Sequence, residues 1–361
     1  MTRVTRPVLF VTNYAPAFRV GAFARLHERE DVVFALVGGP MRHGGAAPER
    51  SLPFPVLHPT QRHVARLAGS GRFRAVIAGL SGRVALPAAY AGARAAGVPF
   101  VLWATIWRHP RTAAHALSYL PLRHLYRNAD AVVTYGPHVS AYVRAKGARA
   151  TVVEAPQSVD GAFWETPATP DRRAGFQVLY AGRLEREKGV ETLLAAWART
   201  ELRPPLAALV MAGYGPLRAA AAAAGALVAD GPLAPKALRE VYAGSDVVVV
   251  PSIPTRDFLE PWGLVVNEAL HRSLPVVATT AVGAVAGGLV RDGATGLVVP
   301  PGDPAALAGA LRRLFGDPAL RARLGVAGHA AVAAHSHDAW AAGMQQALAA
   351  VGAARGRGAG C

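Results

Sequence analysis

Gln177-Val178-Leu179-Tyr180-Ala181-Gly182-Arg183-Leu184-Glu185-Arg186-Glu187-Lys188-Gly189 is the stretch on which the fold turns. Gln177 to Ala181 reads as a short strand, and the apolar spacing of Val190 to Arg199 reads as a helix. A strand that runs through a loop into a helix is half of a βαβ unit, so a parallel sheet is expected. The loop then sets Arg183 and Lys188 at the carboxyl edge of that sheet, the place where open α/β sheets bind ligands. There an arginine can grip a diphosphate bidentately and a lysine can act as a point charge. For these residues in isolation a solvated charged loop is the competing reading.

The same alternation extends in both directions. Upstream, strands are expected at Val8 to Thr12, Val32 to Val37, Ala75 to Gly79, Phe100 to Ala104, Ala131 to Thr134 and Thr151 to Glu154. Helices lie between them, at Val20 to Arg29, Val84 to Ala96, Thr112 to Arg127 and Val139 to Lys146. Pro156 to Gly175 has three prolines and no periodicity, which marks a linker. Downstream, strands are expected at Leu206 to Ala212, Leu227 to Ala229, Val247 to Val250, Val276 to Ala278 and Leu297 to Val299. Helices there include Leu217 to Ala224, Pro235 to Ala243 and Gly263 to Arg272, and beyond Asp303 the chain is helical. The expected organisation is therefore an amino-terminal Rossmann-like domain over 1–158, a linker over 159–175 and a second Rossmann-like domain over 176–335. A last helix over 336–352 and a flexible tail over 353–361 complete the chain.

Composition narrows the function classes. The 361 residues are 52% apolar, enough for two cores, with no apolar run near the roughly 20 residues of a membrane span. A formal charge of +16, from 39 Lys and Arg against 23 Asp and Glu, favours anionic partners such as nucleotides, phosphorylated lipids or an acidic membrane surface. Part of that excess is compositional, since Ala, Arg, Gly and Pro are enriched together. The one cysteine, Cys361, excludes an internal disulfide framework and any cysteine-based metal site, and a cytoplasmic protein is expected.

The second chemistry-bearing stretch is Glu260-Pro261-Trp262-Gly263-Leu264-Val265-Val266-Asn267-Glu268. Pro261 and Gly263 suit a helix start, with Glu260 in the loop before it and Glu268 on the helix. Both carboxylates can then accept hydrogen bonds from the hydroxyls of a polyol. The open N–H groups of Gly263, Leu264 and Val265 suit a phosphate. A glutamate pair that merely complements the helix dipole is the alternative. Ala212-Gly213-Tyr214-Gly215-Pro216 follows another strand and permits close backbone approach. No Asp-x-Asp occurs, so no metal clamp is expected. Neutralising a diphosphate then falls to Arg183, Lys188 and the helix dipole.

Taken together and in order, these pieces resemble glycosyltransferase family 4. The resemblance runs from Gln177 to about Ala331, through the Gly182-Arg183-Leu184…Lys188-Gly189 loop and Gly213-Tyr214-Gly215-Pro216. It continues through Asp230-Gly231-Pro232-Leu233, Ala243-Gly244-Ser245-Asp246, the Glu260…Glu268 segment and Gly293-Ala294-Thr295-Gly296. It implies a GT-B fold, two Rossmann-like domains facing each other across a cleft, and a retaining transfer of a hexose-type sugar from a UDP- or GDP-sugar. By the same resemblance Arg183 and Lys188 hold the diphosphate, Glu260 holds the transferred sugar, and Glu268 binds the ribose. Gly182 and Gly213 approach the donor, Gly231, Pro232 and Leu233 offer backbone to the base, and Gly263, Leu264 and Val265 cover the phosphates. It further implies no protein nucleophile, no metal and a nucleotide sugar as co-substrate. Gly21 stands where the family has a phosphate-approaching glycine loop, and only this glycine of the usual pair carries over. His109 stands displaced from a family histidine that reaches the donor sugar; from its loop His109 can still reach that sugar, or Thr105 can take over.

The acceptor stays open between a glycan, a lipid-linked glycan and a small natural product. Trp103 and Trp107 offer either a sugar platform or core packing. His335-Ser336-His337 reads as the cap of the last helix, which in this fold commonly packs back on the first domain. Arg62, Arg66, Arg72 and Arg74 offer either a basic face toward membrane lipid at its inner surface or a solvated face. Two other functions compete: a sugar-nucleotide epimerase on the same scaffold and a basic nucleic-acid-binding protein. The Glu260…Glu268 and Arg183…Lys188 sets argue against the first. Arginines scattered without interleaved aromatics argue against nucleic acid as a partner.

Overall fold

The computed structural model describes residues 6–38, 52–80, 82 and 84–355. The chain divides into two compact units, Met1–Ser158 with Ser336–Cys361, and Val159–His335.

The first unit is built on β1 (Val8–Thr12), β2 (Val32–Leu36), β3 (Val56–Leu57), β4 (Ala75–Gly79), β5 (Phe100–Ala104), β6 (Ala131–Thr134) and β7 (Thr151–Glu154). Among the described residues these form one parallel sheet in the order β3-β2-β1-β4-β5-β6-β7. Every residue of β1, β4, β5 and β6 is buried, which is why these strands read as unbroken apolar runs. The helices α1 (Ala17–Glu30), α2 (Val64–Ala68), α3 (Ala85–Ala95), α4 (Ala113–Asn128) and α5 (Pro137–Ala145) connect them. Thr112 caps α4, its hydroxyl accepting from the His115 N–H, and Pro137 opens α5 at a position where its missing N–H costs nothing.

The second unit opens on α6 (Gly161–Glu165) and repeats the plan with β8 (Phe176–Ala181), α7 (Val190–Thr200), β9 (Ala207–Ala212), α8 (Arg218–Ala223) and β10 (Leu227–Val228). It continues with α9 (Pro235–Ala243), β11 (Val247–Val250), α10 (Leu264–His271), β12 (Val276–Thr279), α11 (Gly283–Ala286) and β13 (Leu297–Val299). Two longer helices, α12 (Pro304–Gly316) and α13 (Pro318–Val332), close it. The strand order β10-β9-β8-β11-β12-β13 is doubly wound, with the reversal at β8 and β11. Asp303 and Asp317 cap α12 and α13, each followed by a proline at the first helical position.

The last helix, α14 (His337–Ala350), belongs to the first unit, where it packs on α1, β6 and β7. Ser336 caps it through the Ala339 N–H. Trp340 is fully buried among Phe10, Phe23 and Trp103, with ring centroids 5.6 to 6.4 Å away. Close approach on β7 depends on Gly343, where a Cβ would lie 2.7 Å from the Glu154 carbonyl oxygen.

Two expectations need correction. The stretch expected as a linker, 159–175, is part of the second unit. Asp160 caps α6, Trp164 is buried with its ring 5.1 Å from that of Tyr242, and Glu165 meets His271 Nδ1 at 2.9 Å. One aromatic residue without periodicity anchors that segment, so no pattern announced it. Helix α1 begins at Ala17, three residues before its expected start, because Pro16 stands at the cap. Gly21 lies in the second turn of this helix and not in the glycine loop that the family resemblance implied. A Cβ there would come 2.4 Å from the His337 ring, so its lack of a side chain lets α14 pack against α1.

Candidate functional site

The site is built at the carboxyl ends of β8, β9 and β11 and at the start of α10, all in the second unit. β8 is wholly buried and ends at Gly182, whose φ of +148° favours glycine. The neighbouring loop presses on it. A Cβ on Gly213 would sit 1.8 Å from the Gly182 carbonyl oxygen, and the Gly182 N–H donates to Ala212 at 3.0 Å. The buried Tyr180 hydroxyl donates to the Arg183 carbonyl and fixes the turn. The Arg183 side chain is then engaged by two carboxylates, Glu185 and, at 3.3 Å, Glu187. Hydrogen bonding with Glu185, followed by burial, holds the Glu187 carboxyl above the ordinary range.

Lys188 leaves this loop just before Gly189, which has φ +73° and whose Cβ would lie 1.8 Å from the Pro251 carbonyl oxygen. That locked turn aims the ammonium at Glu260, Nζ to Oε2 2.5 Å, and over the Phe258 ring at 4.7 Å. Ser252, just past β11, donates to the same Glu260 oxygen at 2.9 Å. Thr279 fixes Ser252 by donating to its carbonyl at 2.5 Å. The Glu260 side chain is 9% exposed, so this ion pair sits largely out of water.

Gly263 caps α10 with φ +90°, and no side chain satisfies the helix start. The first N–H groups of a helix have no partner within it, so the amides of Leu264 and Val265 are disposed toward an anion. Trp262 pins the turn. It is buried, and its Nε1 donates to Asn267 at 2.7 Å. Glu268, one turn along α10, accepts from the Tyr242 hydroxyl at 2.8 Å. Burial raises its carboxyl to about 7, with the Tyr242 hydrogen bond acting the other way. Gly231, at φ +131°, opens the loop after β10, and Leu233 lines a cavity of about 530 Å³ with Val210, Val228, Asp230 and Val241.

The structure thus gathers Gly182, Arg183, Lys188, Gly213, Glu260 and Gly263 at one sheet edge of the second unit. The two glutamates have separate partners, Lys188 and Tyr242. Sequence reasoning missed Phe258 and Tyr242, and it gave no role to Ser252, which follows a strand within the stretch that carries the family resemblance.

Pro232 follows Gly231 in the second unit, and the remaining expected site residues lie in the first. His109, in the loop after β5, contacts the His115 carbonyl through Nε2 at 2.7 Å, while its Nδ1 is buried without a partner. Trp103 is a core residue in edge contact with Phe10, Tyr135 and Trp340, which decides against a sugar platform there. Trp107 meets His138 edge-on. His337 binds the Ser158 hydroxyl at 3.0 Å, and among the described residues no three or more His, Cys, Asp or Glu side chains cluster as a metal site would require. Arg62, Arg66 and Arg72 are exposed. Arg74 is not part of a basic face, because it pairs with the buried Glu30 at 2.8 Å and donates to the Ala353 carbonyl.

Two doubly wound parallel sheets, with loops of this kind at the strand ends of the second, define an α/β protein of the GT-B class. Solved structures share that fold. HepE of Anabaena, in complex with UDP and glucose, matches with a TM-score of 0.72 at 21% identity over 95% of this chain and 99% of that one. Sucrose-phosphate synthase of Thermosynechococcus elongatus matches with 0.71 at 20% identity over 94% and 98%. The family model Glycosyl transferases group 1 matches residues 175–317. Glycogen synthase of Mycobacterium tuberculosis is 36% identical over 172 residues, 46% of this chain and 40% of its own. The alpha-D-kanosaminyltransferase of Streptomyces kanamyceticus is 33% identical over 154 residues, 41% of this chain and 38% of its own. The matched segment thus spans about two fifths of these curated relatives.

Proposed function

We propose that this protein transfers a sugar from a nucleoside diphosphate sugar to an acceptor hydroxyl, with retention at the anomeric carbon. The observation that carries this reading is the largely buried Lys188–Glu260 pair beside the start of α10, where no side chain caps the helix. An ammonium has three donors and Glu260 takes one, which leaves capacity for a diphosphate oxygen. Arg183 can serve the same group once Glu185 or Glu187 yields, and the amides of Leu264 and Val265 add backbone donors. Glu260 accepts from hydroxyls of the transferred sugar, and Glu268 accepts from the ribose. Leu233 and the cavity behind it suit a flat heterocyclic base. The bond from the anomeric carbon to the diphosphate oxygen breaks while the acceptor oxygen bonds on the same face, and the acceptor proton passes to a phosphate oxygen of the leaving group. Stabilising that departing charge is the main catalytic contribution. The donor is a UDP- or GDP-sugar used without metal, and the acceptor a glycan, a lipid-linked glycan or a small natural product in the cytoplasm.

The test is thermal stabilisation by UDP, GDP, ADP and TDP and their sugars, with EDTA present. One nucleotide should raise the melting temperature by several degrees, and Lys188→Ala should abolish the rise. A rise that survives Lys188→Ala places the phosphate elsewhere, and a rise that EDTA removes requires a metal.

A further inference from the structure

Helix α4 carries a face that its own unit does not use. Leu125 and Tyr126 anchor the helix in the core, whereas Leu117 and Leu120 are 84% and 68% exposed. Pro121 is exposed beside them. Leu117, Leu120 and His124 follow at three- and four-residue spacing and so share one face. Arg123, His124 and Arg127, all exposed, continue that face one and two turns further on. Together with Leu120, Asn128 and the exposed Arg149 they line a groove of about 390 Å³. Among the described residues none of Arg123, Arg127 and Arg149 forms an ion pair, and the nearby Asp130 is held by Arg94 at 3.0 Å. Leu117, Leu120 and Pro121, at three- and four-residue spacing, make one contiguous exposed apolar patch with a basic rim, and such a patch marks an interaction site.

We propose that this face of α4 docks the protein on a bilayer of acidic lipids, with Leu117 and Leu120 entering the acyl boundary and the Arg123-Arg127-Arg149 groove taking headgroup phosphates. Charge selects this occupant. A second copy meeting the same face about a two-fold axis would set arginine against arginine, whereas an anionic headgroup layer neutralises all three. Nucleic acid would satisfy the arginines but leave the leucines in water. Apolar residues beside basic ones on a surface helix are the chemistry of interfacial binding. The arginine stems reach along the apolar boundary while their guanidinium groups stay at the headgroups. The site is independent of the donor reading, since all its residues belong to the first unit.

The test is flotation of the full chain with vesicles of phosphatidylcholine alone and of phosphatidylcholine mixed with phosphatidylglycerol, without nucleotide. The protein should float with the mixed vesicles only and be released by high salt. Leu117→Gln with Leu120→Gln, and separately Arg123→Gln with Arg127→Gln, should each cut bound protein at least about tenfold. These substitutions are exposed, and unchanged circular dichroism and melting temperature should accompany the loss. Binding that both double variants retain, or equal binding to neutral vesicles, overturns the proposal. So does a fall in molecular mass in light scattering for the leucine variant, which would assign the face to self-association. Nucleotide stabilisation of the same variants should be unchanged, so failure of the donor reading and failure of this one are separable.

Discussion

Lys188 holds its neighbour as firmly as it offers itself to a ligand. Glu260 is largely out of water and shares one oxygen between Lys188 and Ser252. Removing one partner of a buried pair leaves the other charge uncompensated, at a cost of about 3–5 kcal/mol. Lys188→Met should therefore lower the stability of the second unit by that order in urea unfolding, and adding Glu260→Gln should restore part of it. Additive losses would show that the two side chains do not interact. Under the proposed reaction, Lys188→Met should also lower turnover about 10²–10³-fold. Glu268 gives a different signature. A carboxyl raised to about 7 in the folded state binds its proton more tightly there than in the unfolded chain. Its contribution is complete below the unfolded value and is lost as the pH rises through about 7. The melting temperature of the parent should thus fall more steeply than that of Glu268→Gln as the pH rises from about 5 to about 7, and the two should run parallel above that. Profiles parallel over the lower range as well would mean that Glu268 is ionised throughout. Sequence could name Lys188, Glu260 and Glu268, because charge and motif spacing are local. It could not name Tyr242, whose hydroxyl reaches Glu268 from 26 positions away.

Elements were the most legible scale, and the exceptions have physical causes. The longer strands lie within one residue of their expected bounds, because β-branched runs buried on both faces leave little ambiguity. β3 escaped because it has two residues, both half-buried. The start of α1 was misplaced because a proline at a cap resembles a proline in a loop. The turn into α7 is the element most exposed to test. Gly189 combines a positive φ with contact against the Pro251 carbonyl, whereas Gly225, at φ +80°, has nothing within 4 Å of its absent Cβ. Gly225→Ala should cost about 1–2 kcal/mol, the left-handed penalty alone. Gly189→Ala should add an overpacking cost of about 1–3 kcal/mol. Equal losses in denaturant titration would mean that the backbone at Pro251 yields freely.

At the scale of the molecule, the first unit is assembled from both ends of the chain and the second from the middle. Trp340 is the wedge of that arrangement, set among Phe10, Phe23 and Trp103. Trp340→Ala should destabilise the first unit by about 3–5 kcal/mol. In native-state hydrogen exchange the amides of β1 and β5 should lose protection while those of β8 and β11 keep theirs. Uniform loss would mean that the two units unfold as one.

The return of α14 also sets an order of events during synthesis. The strands of the first sheet leave the ribosome early, yet the residue that closes their aromatic core follows the whole of Val159–His335. At usual elongation rates that interval is roughly ten to thirty seconds. Through it the nascent sheet holds an unfilled slot of Trp340's shape, while the later-made second unit already has every residue it needs to fold.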